Sequence, residues 1–576
     1  MKGYLNLVLH GHLPFVINHG RWPHGSDWLF EATAETYLPL LQTLEYCEKK
    51  ELPIRFTMGI TPVLMEQLAD ERFPPDFMNY IDQKVDAAVD DRDHFARLSD
   101  DHREALSEMW IDFFSDVGRY FEKIDGDIIG EFVRHHKAGR VELMTCGATH
   151  GYLPLLGTDE SVRAQIQVAK QTYRRHVGED PKGIWLPEAA YRPSYEWKRP
   201  AGPDRPAFKR RGVEEFLYEA GIKYFFVDSH LLRGGEAVGV YIDRFRALKD
   251  LWAQFESHYQ TSPEKSKRTP YKPYLTSSTG GKNAVGFFTR DPETCLQVWS
   301  GEWGYPGNGA YLDFHKKHFP GGHRYWRVTD SEADLADKKL YDPAKIDKIL
   351  GEQAFHFVSL ADKIIQASEK KADGQFPPII TAPFDAELFG HWWFEGPRWF
   401  EKVIENIANN KNIDLTTGWK YMKENPPGDI VQLPEGSWGQ GGFHYIWLND
   451  WTKWTWEHIY EDEDRMVELA KKYEKGADAN TKRLLNQLGR ELLLLESSDW
   501  QFLISTWSAR DYAENRIAFH HEQFRTISKL IDKLSAEGSI SDGDWQYIND
   551  LEEQDSLFPN IDYRFWLPIE KLDTDK

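Results

Sequence analysis

Three histidines and two carboxylates follow apolar runs that are typical of buried β-strands. His10 and His12 close the first run and His150 follows the third, whereas Glu188 ends the fourth run and Asp385 the seventh. Two carboxylates can cleave a glycosidic bond, because one attacks the anomeric carbon while the other protonates the leaving oxygen and later deprotonates the acceptor. Two imidazoles and a carboxylate are also a common zinc-binding set, so a metal site is the alternative interpretation. Taken singly, each carboxylate is more often a helix cap or a surface group, and the convergence of all five residues favours a site.

These side chains meet only if the apolar runs are strands of one sheet whose ends share a face. The runs are 4–10, 53–60, 140–149, 183–188, 222–228, 284–290 and 378–385. Near-continuous apolar runs are typical of parallel strands that are covered on both faces. Helical patterns separate them, and one ends at Gly221, a plausible C-cap. Seven strands alternating with helices predict a closed or nearly closed α/β barrel with its site at the C-terminal ends of the strands, and a doubly wound open sheet is the alternative.

The chain of 576 residues is long enough for two or three domains. We predict a catalytic barrel from 1–64 and 132–400, an inserted, strongly charged helical subdomain at 65–131, and a C-terminal α-helical domain at 401–576 that contributes to the substrate cleft. The strand pattern stops after about Trp399 and amphipathic helices follow. A polar stretch at 242–282 predicts a long loop, either a lid or a surface insertion.

Composition narrows the classes of partner. Acidic residues outnumber basic ones 92 to 70, giving a formal charge of -22, which argues against nucleic acid and against an anionic membrane surface. Three widely spaced cysteines form no CxxC pair, the first residues have too short an apolar run for a signal peptide, and no apolar segment is long enough to span a membrane. These features favour the cytoplasm. The 22 tryptophans indicate either a large hydrophobic core or a carbohydrate-binding site in which aromatic rings stack on sugar rings.

Five ordered segments resemble glycoside hydrolase family 57. They are HGHLP (10–14), GATHGYLP (147–154), GIWLPEAAY (183–191), APFDAELFGHWW (382–393) and ESSDWQFL (496–503). The resemblance implies a (β/α)7 distorted TIM-like barrel, a retaining mechanism, α-glucan substrates, and no metal or other cofactor. It maps the nucleophile of the family onto Glu188 and its acid/base onto Asp385.

Within that family the chain is most similar to the 1,4-α-glucan branching enzymes, through segments 210–230, 290–307, 323–330 and 436–450. This similarity implies cleavage of an α-1,4 bond and transfer of the chain to a 6-hydroxyl, forming an α-1,6 branch. The substrate-binding residues that it implies are His10, His12, Trp22, His150, Trp299, His391, Trp438, Trp447 and Asp499. An α-amylase-type hydrolase or a 4-α-glucanotransferase with the same carboxylates is the alternative. A metal-dependent carbohydrate enzyme and a catalytically silent glucan-binding protein are the hypotheses from other classes.

Overall fold

The computed structural model describes residues 2–234, 245–255, 266, 268–299, 304–330, 333–372 and 376–569. Its strands are β1 (Gly3–Gly11), β2 (Phe56–Ile60), β3 (Val141–Met144), β4 (Gly183–Ile184), β5 (Glu196–Trp197), β6 (Phe208–Lys209), β7 (Tyr224–Val227), β8 (Tyr274–Thr276), β9 (Val285–Thr289), β10 (Ile379–Asp385) and β11 (Ile413–Leu415). Each of the seven predicted apolar runs contains one of these strands.

Seven parallel strands lie side by side in the order β10, β1, β2, β3, β4, β7 and β9, and they form a (β/α)7 barrel. A single bridge between Thr145 and Ile184 connects β3 to β4. At the seam between β9 and β10, the Asp291 amide donates a hydrogen bond to the Thr381 carbonyl at 2.8 Å. The strands carry β-branched and aromatic side chains with almost every position buried, as expected where helices cover the outside and side chains fill the inside.

The helices surround the barrel and build the C-terminal part of the chain. They are α1 (Ser26–Ala32), α2 (Leu38–Lys49), α3 (Pro62–Leu68), α4 (Phe73–Arg97), α5 (Asp101–Lys123), α6 (Ile128–Lys137), α7 (Asp159–Val177), α8 (Val213–Ala220), α9 (Ser229–Arg233), α10 (Arg246–Phe255), α11 (Pro292–Trp299), α12 (Ile346–Ala372), α13 (Gly396–Ala408), α14 (Gly418–Glu424), α15 (Lys453–Lys472), α16 (Ala479–Leu495), α17 (Asp499–Thr506), α18 (Arg510–Glu537) and α19 (Asp542–Gln554). None of the helices in the described ranges is both long and apolar enough to cross a membrane.

Local signals set several helix ends. Thr158 accepts a hydrogen bond from the Ser161 amide at the start of α7, and Gly178 ends that helix with a φ of 90°. Gly221 ends α8 with a φ of 83°, which confirms the predicted C-cap. These caps fix where each helix returns the chain to the barrel.

The predicted insertion at 65–131 consists mainly of α4 and α5, which pack against each other and are joined by a short turn. Asp100 caps α5 by accepting a hydrogen bond from the Arg103 amide at 3.0 Å. The division of the chain into a barrel, this insertion and a C-terminal domain stays a prediction.

Two local predictions were wrong. The strand pattern does not stop at Trp399, because β11 follows it and pairs with the first residues of β1. The last residues of β1 pair with β2 instead. The stretch 242–282 is not simply a loop, since it contains α10 and also β8, which pairs antiparallel with β9. Residues 242–244, 256–265 and 267 of that stretch lie outside the described residues.

Most tryptophans belong to the core. Those with fully buried side chains are Trp110, Trp185, Trp299, Trp393, Trp399, Trp438, Trp447, Trp456, Trp500 and Trp566. The aromatic content of the chain is therefore explained first by packing, and a tryptophan needs further evidence before it is assigned to a ligand.

Candidate active site

The ends of β1 and β10 place a histidine beside a carboxylate. In the parallel register of these strands, His10 lies directly opposite Asp385. His10 is buried, whereas Asp385 is half-buried at the last position of its strand. The barrel thus presents Asp385 at its C-terminal face, where the sequence predicts a site.

Glu188 lies in a tight turn, Pro187–Ala189, shortly after β4. Its φ is 60° and its ψ is 25°, a left-handed conformation that costs a non-glycine residue roughly 1–2 kcal/mol. Two backbone hydrogen bonds hold the turn: the Ala189 amide donates to the Leu186 carbonyl at 2.7 Å, and the Trp438 amide donates to the Glu188 carbonyl at 3.2 Å. A strained carboxylate held in this way is characteristic of a functional residue.

The side chain of Glu188 accepts a hydrogen bond from a buried tryptophan. The indole N–H of Trp438 donates a hydrogen bond to Glu188 Oε2 at 2.9 Å. The pKa of Glu188 is raised to about 8. Burial is the largest cause and the nearby charge of Asp385 also raises the pKa, whereas the Trp438 hydrogen bond lowers it. Glu188 and Asp385 are thus electrostatically coupled, and the pair keeps a proton at neutral pH.

Three imidazoles lie next to the carboxylate pair. His10 Nε2 is 3.1 Å from His150 Nε2, and the rings of His12 and His150 stack with their centroids 3.9 Å apart. His150 has a φ of 60°, and its Nδ1 lies 4.0 Å from Glu188 Oε1. Burial and the neighbouring imidazoles lower the pKa values of His10 and His150 well below the usual range, so both rings are neutral hydrogen-bonding groups.

The C-terminal helices complete this cluster. Asp499, the first residue of α17, has Oδ2 2.9 Å from His12 Nε2, and the preceding Ser498 has Oγ 2.8 Å from His150 Nδ1. Burial opposes ionisation of Asp499, but the nearby His12 and a hydrogen bond from it lower the pKa of the carboxyl group to about 2. Asp499 is therefore an anion that fixes His12, whose Nδ1 is 3.1 Å from Thr61 Oγ1.

Sequence reasoning missed Glu387. It lies two residues after Asp385, and its Oε1 accepts hydrogen bonds from the His12 amide at 3.0 Å and from the Tyr37 hydroxyl. Burial raises the pKa of Glu387 to about 8, with a further contribution from Asp385. Glu387 lies in the 3₁₀ turn Ala386–Leu388 that follows β10, so the alternation of side chains along the strand could not have identified it.

The other predicted binding residues occupy varied positions. Trp299 is fully buried, its indole donates to the Pro383 carbonyl at 3.2 Å, and its ring lies 5.9 Å from that of Trp438. Trp447 is also fully buried and stacks on Tyr152 at 4.4 Å. Both tryptophans therefore pack against residues that surround the site.

Trp22 and His391 differ from this group. The side chain of Trp22 is 71 % exposed. His391 lies next to Glu35 and Arg324, with its Nδ1 3.4 Å from Glu35 Oε2, and lines a separate pocket with them. The structure thus brings together His10, His12, His150, Glu188, Asp385, Trp438 and Asp499 as one connected cluster.

A metal could be placed geometrically in the same cluster, because ligand atoms of His12, His150 and Asp499 lie within 4.8 Å of one another. In the structure, His12 Nε2 hydrogen-bonds to Asp499 and His150 Nδ1 hydrogen-bonds to Ser498. The arrangement is better suited to bind hydroxyl groups, with neutral imidazoles beside a coupled pair of carboxyl groups, one of them buried and strained.

Comparison with known proteins agrees with this geometry. A family model described as glycosyl hydrolase family 57 matches residues 6–434, and one described as the C-terminal part of 1,4-alpha-glucan branching enzyme matches residues 458–566. The 1,4-alpha-glucan branching enzyme of Thermococcus kodakarensis is 42% identical over 559 residues, which cover 97% of this chain and 78% of that protein.

Solved structures show the same likeness. The GH57-type branching enzyme of Pyrococcus horikoshii superposes with a TM-score of 0.87 at 39% identity, covering 100% of this chain and 98% of the other. The α-amylase AmyC of Thermotoga maritima superposes with a TM-score of 0.80 at 29% identity, covering 99% and 100%. These likenesses extend over the barrel and the C-terminal helices together.

Proposed function

The chain belongs to glycosyl hydrolase family 57, and we propose that it is a 1,4-α-glucan branching enzyme that uses Glu188 and Asp385 as its catalytic pair. Its substrate is an α-glucan such as amylose, starch or glycogen. The enzyme cleaves an α-1,4 bond in one chain and joins the released segment to a 6-hydroxyl of another.

One observation carries the proposal: the region that matches the C-terminal part of branching enzymes supplies two groups of the site. Asp499 and Ser498 fall within residues 458–566 and hydrogen-bond to His12 and His150 of the barrel. The catalytic carboxylates and the branching-enzyme-like helices therefore act as one unit.

In the first step, a glucan bond lies between the two carboxyl groups. Glu188, ionised and stabilised by the Trp438 N–H, attacks the anomeric carbon, and the bond from that carbon to the leaving O4 breaks. Asp385, which carries the proton of the pair in this complex, transfers it to O4. The products are a free chain end and a glucan ester of Glu188.

In the second step, a 6-hydroxyl of an acceptor chain attacks the same carbon. Asp385 removes the hydroxyl proton, the ester bond breaks, and the α configuration is restored, so the mechanism is retaining. Neutral His10 and His150 bind sugar hydroxyls around the cleaved unit, and His12 is held for the same purpose by ionised Asp499. Trp22, Trp299, Trp438, Trp447 and His391 remain proposed substrate-binding residues. Trp438 also acts through its hydrogen bond to Glu188.

An α-amylase-type hydrolase is the second candidate, because AmyC shares the fold over the whole chain. In that case water takes the place of the acceptor hydroxyl in the second step. The higher identity to branching enzymes, 42% and 39% against 29%, favours transfer.

Incubation with amylose separates the two candidates. We expect new chains to be released when the product is treated with a debranching enzyme, with few reducing ends formed before that treatment. Reducing ends without new branches would refute branching. Glu188→Gln is the control, and we expect its activity to fall by at least about 10³-fold because the nucleophile is lost.

We further propose a role in glycogen biosynthesis and a location in the cytoplasm. All three cysteines, Cys47, Cys146 and Cys295, are buried free thiols, as is common in a reducing compartment. The mechanism needs no metal ion or other cofactor, and the acidic chain is not suited to bind nucleic acid or an anionic membrane.

A further inference from the structure

Two C-terminal helices bring a second set of histidines together. His458 and Glu461 are one turn apart on α15, so their side chains lie on the same face, and His521 on α18 faces them. One potential ligand atom from each of the three residues lies within 4.8 Å of the other two. Neither helix carries the catalytic carboxylates.

A buried carboxylate orients His521. Asp462 Oδ2 lies 2.8 Å from His521 Nδ1, and both residues are buried, at 1% and 8% exposure. This contact engages Nδ1 of the ring, so Nε2 is the nitrogen that can bind a metal ion. A carboxylate that holds the far nitrogen of a histidine is the usual outer contact of a metal-binding imidazole.

His458 is free to complete the set. Its ring stacks on that of His521, with centroids 4.1 Å apart, and in the described part of the chain no hydrogen bond to its ring nitrogens is found. A rotation of the ring toward Glu461, which is exposed, breaks no hydrogen bond.

We propose that His458, Glu461 and His521 form a binding site for a transition-metal dication such as Zn²⁺. Two imidazoles and one carboxylate suit zinc, cobalt or nickel, whereas Mg²⁺ and Ca²⁺ prefer an all-oxygen set. The site opens toward a surface pocket of about 570 Å³ that His458 and Glu461 line together with Arg199, Arg205 and Asp464. Water or a small anion from this pocket can take the fourth position.

The ion would connect α15 to α18 and stabilise the C-terminal helices. It takes no part in cleaving glucan, because its ligands and the residues that line its pocket are separate from the catalytic pair. A third cluster, Glu491, His520 and Asp555, is a weaker candidate. All three of its residues are buried, and Arg516 and His19 already occupy its nitrogen and oxygen atoms.

Metal titration of the full chain tests the proposal. After chelation and desalting, we expect one equivalent of Zn²⁺ to bind and to raise the melting temperature. Co²⁺ alone should give visible absorption bands typical of low coordination with nitrogen ligands. Glu461→Gln and His458→Ala each remove one ligand at a residue that is not fully buried, so both variants should fold and lose binding.

Two further variants test the outer contact and serve as a control for the Zn²⁺ titration. Asp462→Asn should weaken Zn²⁺ binding by about 10–100-fold through loss of the outer contact. His94→Ala, which removes an exposed histidine of α4, should bind like the unchanged chain. Equal binding by Glu461→Gln, His458→Ala and the unchanged chain, or no stoichiometric binding at all, would overturn the proposal.

Discussion

The position of one proton determines what the carboxylate pair can do. Burial and the charge of Asp385 give Glu188 a pKa of about 8, so the carboxyl pair holds a proton at neutral pH. Cleavage needs one proton on the pair in total, carried by Asp385 when the glucan is bound. The buried turn around Glu188 thus keeps one proton on the pair, and cleavage requires that this proton move to Asp385 when the glucan binds.

We expect kcat/KM for amylose branching to fall as the pH rises through about 8, because the pair then loses its shared proton. Initial rates between pH 5 and 10, with the folded fraction checked at each pH, measure this. Activity that stays constant up to pH 9.5 would show that the proton is not held as the structure indicates.

At the scale of elements, the barrel strands were predictable and the connections to the site were not. Seven buried parallel strands leave near-continuous apolar runs in the sequence, whereas β11 is only three residues long with a central aspartate. Helix α10 lies within a polar stretch. The contacts that build the site are also very distant in sequence: Trp438 is 250 residues from Glu188, and Asp499 is 487 from His12. No local pattern encodes such pairs, and only the resemblance to a family suggested them.

The hydrogen bond from Trp438 to Glu188, in the turn after β4, makes a contribution to activity that can be tested. Trp438→Phe keeps most of the ring but removes the donor to Glu188 Oε2, which raises the pKa of Glu188 further. A hydrogen bond to a charged group contributes about 1.5–3 kcal/mol, so we expect branching activity at pH 7 to fall by about 10–100-fold.

Trp185→Phe is the matched control. The Trp185 ring lies 5.0 Å from that of Trp438, and its buried N–H has no hydrogen-bond partner among the residues that the structure describes. We expect a much smaller loss of activity in this variant. Equal losses in both variants would mean that ring packing, not the hydrogen bond to Glu188, is what Trp438 contributes.

At the scale of the whole molecule, the chain folds around many buried carboxyl groups. Burial raises the pKa of Glu188, Glu387 and Glu496 to about 8 and that of Glu395 to about 7. In the unfolded chain these groups have pKa values near 4.3. Between these values the folded state binds more protons than the unfolded state, so the free energy of unfolding decreases as the pH rises.

Buried histidines have the opposite effect, but only in a lower range. The lowered pKa of His10 means that the unfolded state binds more protons below about pH 6.5, so stability rises with pH there. Above that pH the carboxyl groups dominate, and the raised pKa values of the buried thiols of Cys47, Cys146 and Cys295 act in the same direction. We therefore expect the melting temperature to fall between about pH 6.5 and 8.5, and a constant or rising value measured by calorimetry would contradict this balance.

Trapping the covalent intermediate tests the central claim most directly. Asp385→Asn can still be glycosylated by an α-glucosyl fluoride, because fluoride leaves without protonation, but it lacks the base for the second step. Mass spectrometry of this variant should find a glucosyl ester on the peptide that contains Glu188, and none in Glu188→Gln/Asp385→Asn. An ester on another carboxylate, or fluoride release that persists in the double variant, would contradict the assignment of Glu188 and Asp385.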